Sequence, residues 1–229
     1  LNSPDEHILK TIKVGEDLGW ASNMLKALDV IDSKYIIYLQ EDYWLNNYVN
    51  QKHLSSILEK MDENSWDYFR LIPIPGPDEI FESESYGRTT AFSKYRLCLQ
   101  ASIWKKEFLK SLLFEGESGW EFELKSSNRI KTKNIKSFSI SKDKGAAYIL
   151  SYCQGTAIRK AKWTLGAKKY INKEQISFDL SKREMESKFE TVLLRISGIN
   201  IFMKIVSFFI LRSFQFVKGE RSFLSIFQL

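Results

Sequence analysis

The run Gln40-Glu41-Asp42-Tyr43-Trp44 sets two acids side by side. It follows Lys34-Tyr35-Ile36-Ile37-Tyr38-Leu39, a β-branched and aromatic stretch that predicts a buried strand. Ligands of open α/β sheets bind beyond the carboxyl ends of strands, and acids placed there can hold a divalent cation that bridges diphosphate oxygens. An ordinary acidic loop after a strand reads the same way in so short a motif. A second group is Glu117-Ser118-Gly119-Trp120-Glu121-Phe122-Glu123. On a helix Glu117 and Glu121 share a face, with Trp120 beside them. A carboxylate against an indole has a raised pKa and can act as a base, and the indole can stack on a sugar ring. A solvated acidic helix with Trp120 buried is the competing reading. A third group, Gly155 to Trp163, carries Arg159, Lys160 and Lys162 beside a glycine. It suits either phosphate contact or a charged helix face.

The elements that must position these groups alternate. Trp20, Met24, Leu28 and Ile31 predict a helix over 20–31, before the strand at 34–40. Leu54, Ile57, Leu58 and Met61 mark a second helix, and 67–73 a second strand. Residues 76–93, rich in Ser, Glu and Gly, read as a surface loop. Tyr95–Trp104 reads as a third strand, followed by a helix through Phe108, Leu109, Leu112 and Leu113 and a further helical turn or two over 117–127. Residues 134–141 and 147–153 predict late strands, and 183–217 is helical again. This order predicts an α/β fold with a parallel or mixed sheet flanked by helices.

Composition bounds the chemistry. The chain has 229 residues, 44% of them hydrophobic, which excludes global disorder. Two cysteines, Cys98 and Cys153, and two histidines exclude a disulfide scaffold and disfavour a zinc centre, so a metal would sit among carboxylates as Mg2+ or Mn2+. Both cysteines read as small buried residues of strands. His7 and His53 show no partner pattern. The net charge of +6 permits anionic partners. Lys and Arg are spread along the chain without a recognition motif, so no nucleic acid is expected. The polar opening carries no export signal pattern and the cysteines are few, which together favour the expectation of a reducing, cytoplasmic setting.

Residues 197–218 contain Phe202, Phe208, Phe209, Phe214 and Phe216, interrupted by Lys204 and Arg212. The apolar stretch is far short of the roughly 20 residues that span a bilayer. Wound as a helix, its polar residues fall within about 140° and leave a wide apolar face. Such a helix suits the membrane interface, and equally a packing surface on the domain core or on a second subunit.

Several of these runs together resemble one family. Val14-Gly15-Glu16-Asp17-Leu18-Gly19-Trp20-Ala21-Ser22-Asn23-Met24-Leu25-Lys26-Ala27-Leu28, then Tyr35 to Trp44, are similar to one group of bacterial GT-A-type (family-2-like) glycosyltransferases, in which a strand ends in an acidic pair. Tyr95 to Leu109 with Glu117 and Trp120-Glu121-Phe122-Glu123 resembles the acceptor half, and Gly155 to Trp163 its closing basic-aromatic segment. The resemblance spans roughly residues 12–165. It implies a GT-A-like, Rossmann-like catalytic domain over 1–182 and a helical, membrane-associated region over 183–229. It also implies transfer from a nucleoside-diphosphate sugar to a saccharide or lipid-linked acceptor in surface polysaccharide synthesis, at the inner face of the membrane.

Carried over residue by residue, the family places Mg2+ or Mn2+ at Asp42, with Glu41 beside it, and sets Arg159 and Lys162 on the donor phosphates. Glu121 is the expected base, with Glu117 and Glu123 next in line. Trp120 and Glu123 line the acceptor. The acidic element here is Gln40-Glu41-Asp42 rather than Asp-x-Asp, and the family's first nucleotide-binding strands would precede residue 12. A chain lacking them implies the alternative, a non-catalytic glycan- or nucleotide-binding module derived from that fold.

Overall fold

The structure, a computed structural model, describes residues 12–93, 95–142, 149–152 and 156–191. The expected segment 197–218, Cys153, Gly155, His7 and most of the helical pattern over 183–217 lie outside the described residues. The chain divides into two compact units, Leu1–Tyr152 and Cys153–Leu229, a boundary earlier than the one expected at 182.

In the first unit the order is α1 (Trp20–Asp29), β1 (Tyr35–Tyr38), α2 (Gln51–Glu63), β2 (Tyr68–Arg70), β3 (Glu79–Ile80), β4 (Tyr86–Arg88), β5 (Ser102–Lys105), α3 (Lys106–Leu112), α4 (Gly119–Arg129) and β6 (Ser137–Ile140). The strands form one mixed sheet in the order β1-β5-β2-β6-β4-β3. Only β2 and β6 pair in parallel; the other neighbours are antiparallel. The expectation of a mixed sheet flanked by helices is met.

The pleat sorts the core. In the register Tyr68 faces Trp104 and Phe69 faces Ile103. Side chains alternate across a strand, so the two pairs point to opposite faces. Tyr68 and Trp104 pack with Ala21 and Leu28 of α1, Leu109 and Leu112 of α3 and Phe122 of α4. Phe69 and Ile103 pack with Ile57 and Met61 of α2 and with Trp66. Helices therefore cover both faces of the central strands. The apolar spacing read from α1 and α2 is the spacing of these buried stripes.

Three segments depart from the sequence reading. Tyr95–Trp104 is a strand only from Ser102 onward. The preceding residues run as turns, because their backbone donors find side chains instead of a ladder. Leu97 N donates to Ser127 Oγ (3.4 Å), Cys98 N to the Tyr68 hydroxyl (3.2 Å), Leu99 N to Glu123 Oε1 (2.6 Å) and Ala101 N to the Tyr152 hydroxyl (2.7 Å). Residues 76–93 are not all loop. They hold the β3–β4 hairpin, and β4 pairs with β6. A Cβ at Gly87 would collide with the Glu79 carbonyl, so only glycine permits that approach. Of the expected strand over 147–153, the described part contributes a single bridge, Tyr152 to Leu45.

The second unit contains β7 (Ile158–Arg159), β8 (Lys162–Trp163), α5 (Leu165–Lys173) and a 3-10 turn, Leu180–Lys182. The basic segment is thus a hairpin and not a helix face. Its two turn residues, Lys160 and Ala161, have φ of 48° and 62°, as a type I′ turn requires. Helix α5, absent from the sequence reading, is capped by Thr164, whose side chain accepts from Ala167 N. Among the described residues no helix is long and apolar enough to cross a membrane.

Arg70 ends β2 fully buried. Its guanidinium donates to the carbonyls of Pro75, Tyr95 (2.5 Å) and Arg96 (3.2 Å). Arg70→Met keeps the stem and leaves these carbonyls unpaired. At about 1 kcal/mol or more for each lost bond, urea unfolding should show a loss of roughly 2–4 kcal/mol. A loss within experimental error of zero would show that the clamp contributes nothing.

Candidate functional site

A cavity of about 430 Å³ opens in the first unit, lined by Gln40, Asp42, Tyr43, Ile74, Pro75, Tyr95, Cys98, Gln100, Trp120 and Glu123. Its position follows from the topology. Gln40, Asp42 and Tyr43 follow β1, Ile74 and Pro75 follow β2, Tyr95 to Gln100 lead into β5, and Trp120 and Glu123 come from the first turns of α4. The carboxyl ends of two strands thus meet a helix start, where open sheets bind ligands.

Arg70 fixes this rim. It holds Pro75 on one side and Tyr95 and Arg96 on the other. The acidic corner is supported by Tyr43, whose ring lies 4.7 Å from that of Tyr152. Burial pushes the Tyr152 hydroxyl above its ordinary range, so at neutral pH it stays protonated while accepting from Ala101 N. Trp44 Nε1 donates to the Glu41 carbonyl (3.1 Å), closing the turn after β1.

Helix α4 sets the remaining side chains. Ser118 is its N-cap, accepting from Glu121 N, while the Glu121 carboxylate accepts from Ser118 N (3.0 Å) and Ser118 Oγ (2.9 Å). This is a capping box. It fixes the phase of the helix, and Trp120 and Glu123, three residues apart, share a face toward the cavity. Trp120 is 64% exposed, so it is a wall of the cavity and not a buried core residue.

The sequence-predicted residues separate accordingly. Asp42, Trp120 and Glu123 come together in the cavity. Glu121 does not line it, and the raised pKa expected beside Trp120 is not found. The Ser118 backbone N–H, and then Lys125 at 3.1 Å, hold its carboxyl down to about 2, too acidic for a base at neutral pH. Glu117 precedes the helix and is buried, paired with Arg129 and, at 3.3 Å, with Lys125; the Arg129 guanidinium keeps its carboxyl below the usual range. It is a structural ion pair that ties the start of α4 to its end. Glu41 is exposed and absent from the lining.

Arg159 and Lys162 belong to the second unit. Arg159 pairs with buried Glu186 (3.3 Å), which also accepts from Leu165 N (2.9 Å). Lys162 pairs with Glu190 (3.1 Å) and Glu184 (3.6 Å). Both cations hold the hairpin to the chain that follows α5.

The sequence reading missed Gln100, Cys98, Tyr95, Ile74 and Pro75. The first three were assigned to a strand, and the last two to a break in regular structure. Gln100 Oε1 is a buried acceptor with no hydrogen-bond partner among the described residues.

The donor set suits a hard cation in one respect. Asp42 and Glu123 carboxylates and the Gln40 and Gln100 amides are oxygen ligands, the kind Mg2+ and Mn2+ take. Among the described residues no group of three His, Cys, Asp or Glu could cage an ion alone. A cation would therefore be held through one or two carboxylates together with substrate oxygens.

No protein-family model matches this chain, and no curated protein or solved structure matches it either.

Because its pKa is depressed, Glu121 stabilises the fold fully above its ordinary value of 4.5, and that contribution is lost as pH falls toward about 2. Glu121→Gln should lower the melting temperature at neutral pH, with the gap to the parent shrinking across that window. A gap that stays constant down to pH about 2 would show that the carboxylate is not the source.

Proposed function

We propose that this chain is a GT-A-type glycosyltransferase that moves a sugar from a nucleoside-diphosphate sugar to a saccharide or lipid-linked acceptor in bacterial surface polysaccharide synthesis. The observation that carries this reading is the convergence of Asp42, Glu123 and Trp120 in one cavity at the carboxyl ends of β1 and β2. Aromatic faces from Trp120, Tyr43 and Tyr95 offer stacking surface for pyranose rings, and carboxylates and amides offer acceptors for their hydroxyls.

In this reading Asp42 and Gln40 hold the donor side. Bound Mg2+ or Mn2+ would offset the charge that develops on the departing diphosphate. Trp120 stacks on the acceptor sugar and fixes its orientation. Glu123, in place of Glu121, takes the proton of the acceptor hydroxyl as that oxygen attacks the anomeric carbon and the bond to the diphosphate breaks. Displacement by an attacking hydroxyl from the opposite face gives inversion. Leu99 N holds one oxygen of Glu123 and so sets the direction of the other. Residues 197–218 bring the enzyme to the inner face of the membrane, where a lipid-linked acceptor lies.

A second reading, a glycan-binding module without transfer, is favoured by one observation. Among the described residues no Lys or Arg lines the cavity, and Arg159 and Lys162 are engaged by carboxylates. Calorimetry with a panel of nucleoside diphosphates, with and without Mn2+, decides between them. Under the transferase reading one nucleotide binds only with the metal, and Asp42→Ala weakens it by about tenfold or more. Sugar binding with no nucleotide binding under any condition would leave the second reading standing.

A further inference from the structure

We infer that the second unit docks on an anionic phospholipid bilayer through the basic face of α5, formed by Lys168, Lys169 and Lys173. The inference deepens the membrane clause of the proposed function. It names the surface chemistry, assigns it to residues outside 197–218, and makes no use of the cavity.

The charge of the chain is divided unevenly. From Cys153 to Leu229 there are 14 Lys and Arg against 6 Asp and Glu, while Leu1–Tyr152 holds 20 against 22. The net charge of +6 is therefore −2 in the first unit and +8 in the second. A basic excess confined to one unit draws that unit to an anionic surface.

Within the second unit the cations divide again. Arg159 and Lys162 are held by Glu186, Glu184 and Glu190, and serve the hairpin. The lysines of α5 are placed differently. The helix buries Ala167 and Ile171, one turn apart. At 100° per residue Lys168, Lys169, Asn172 and Lys173 fall on the opposite side, and all four are exposed. Among the described residues Lys173 pairs with its neighbour Glu174 (3.1 Å) while remaining 63% exposed, and no ion pair engages Lys168 or Lys169. The three lysines lie within about 8 Å along the helix axis, close to the Debye length at physiological salt, so their fields add.

A bilayer and a nucleic acid both offer dense negative charge. The rest of the unit favours the bilayer. Its sequence carries Phe202, Phe208, Phe209, Phe214 and Phe216 among Lys204, Arg212 and Lys218, the composition of an interfacial segment, and no nucleic-acid recognition motif accompanies it. Lysines beside an anionic leaflet add attraction that apolar insertion alone does not supply.

The test is co-sedimentation of the full chain with vesicles of pure phosphatidylcholine and of phosphatidylcholine with one-third phosphatidylglycerol. The anionic vesicles should bind the chain about tenfold or more tightly than the neutral ones, and the gap should shrink steeply as salt is raised. The triple variant Lys168→Gln, Lys169→Gln, Lys173→Gln should weaken anionic binding by about tenfold or more, with neutral binding unchanged. Glutamine matches lysine in helix propensity, and the single variants Lys168→Gln and Lys169→Gln, each weaker by severalfold, serve should the triple variant not fold. Anionic binding that these variants leave unchanged would overturn the role of α5. Equal binding to both vesicles would overturn the charge-based docking and leave the apolar contact of 197–218 standing. Binding to neither would overturn both. A single-stranded oligonucleotide that binds more tightly than the anionic vesicles, and is weakened by the same variants, would overturn the lipid surface in favour of nucleic acid.

Discussion

The cavity depends on how the backbone of residues 95–101 is satisfied. This segment is mostly apolar and largely buried, and Leu97, Cys98, Leu99 and Ala101 send their amide hydrogens to side chains, although the Ala101 carbonyl accepts from Leu71 N (2.9 Å) just past β2. A buried backbone polar group without a partner costs about as much as a lost hydrogen bond, so the segment holds its shape only if side chains replace the ladder. They do so from both sides. Arg70 reaches up from the end of β2 to the carbonyls of Tyr95 and Arg96, while Tyr68, Glu123, Ser127 and Tyr152 take the amide hydrogens of Cys98, Leu99, Leu97 and Ala101. The donors and acceptors come from β2, α4 and the end of the first unit. The segment is therefore the point where the sheet, the helix and the chain after β6 are coupled.

That coupling explains what could be read from the sequence. Helices α1 and α2 and strands β1 and β2 are legible because each follows one period, with one face given to the core. The Tyr95–Trp104 run has strand composition throughout, and composition cannot reveal that Glu123 and Tyr152 will supply the partners a neighbouring strand would have supplied. The β7–β8 hairpin was hidden for a related reason. Its type I′ turn is made by Lys160 and Ala161 at positive φ, where Asn-Gly is the usual signal. Three basic residues around such a turn look, as a sequence, like a charged helix face.

The site was legible where chemistry and position coincide in one short motif. Asp42 follows an evident strand, and Trp120 and Glu123 open an evident helix. Gln100, Tyr95 and Cys98 were not, because their place in the lining depends on the turn path of 95–101. Arg159 and Lys162 carry the right charge for phosphate, but charge alone does not show that Glu186 and Glu190 neutralise it. A cation read from sequence is only available if the fold has not already paired it.

Glu121 shows the same point at finer scale. The spacing of Glu117 and Glu121 draws attention to an i, i+4 face, yet Ser118 begins the helix between them. Once Ser118 is the N-cap, Glu121 is its N3 residue, and its carboxylate is drawn back to the cap. The same phase puts Trp120, Glu123 and Ser127 on one stripe, at i, i+3 and i+7, against the 97–101 segment and the cavity. Phe122 and Ser126, on the stripe beside it, are buried. The capping box therefore does two things with one carboxylate. It holds Glu121 too acidic for a base at neutral pH, and by fixing where the helix starts it determines that Glu123, and not its neighbour, lines the cavity.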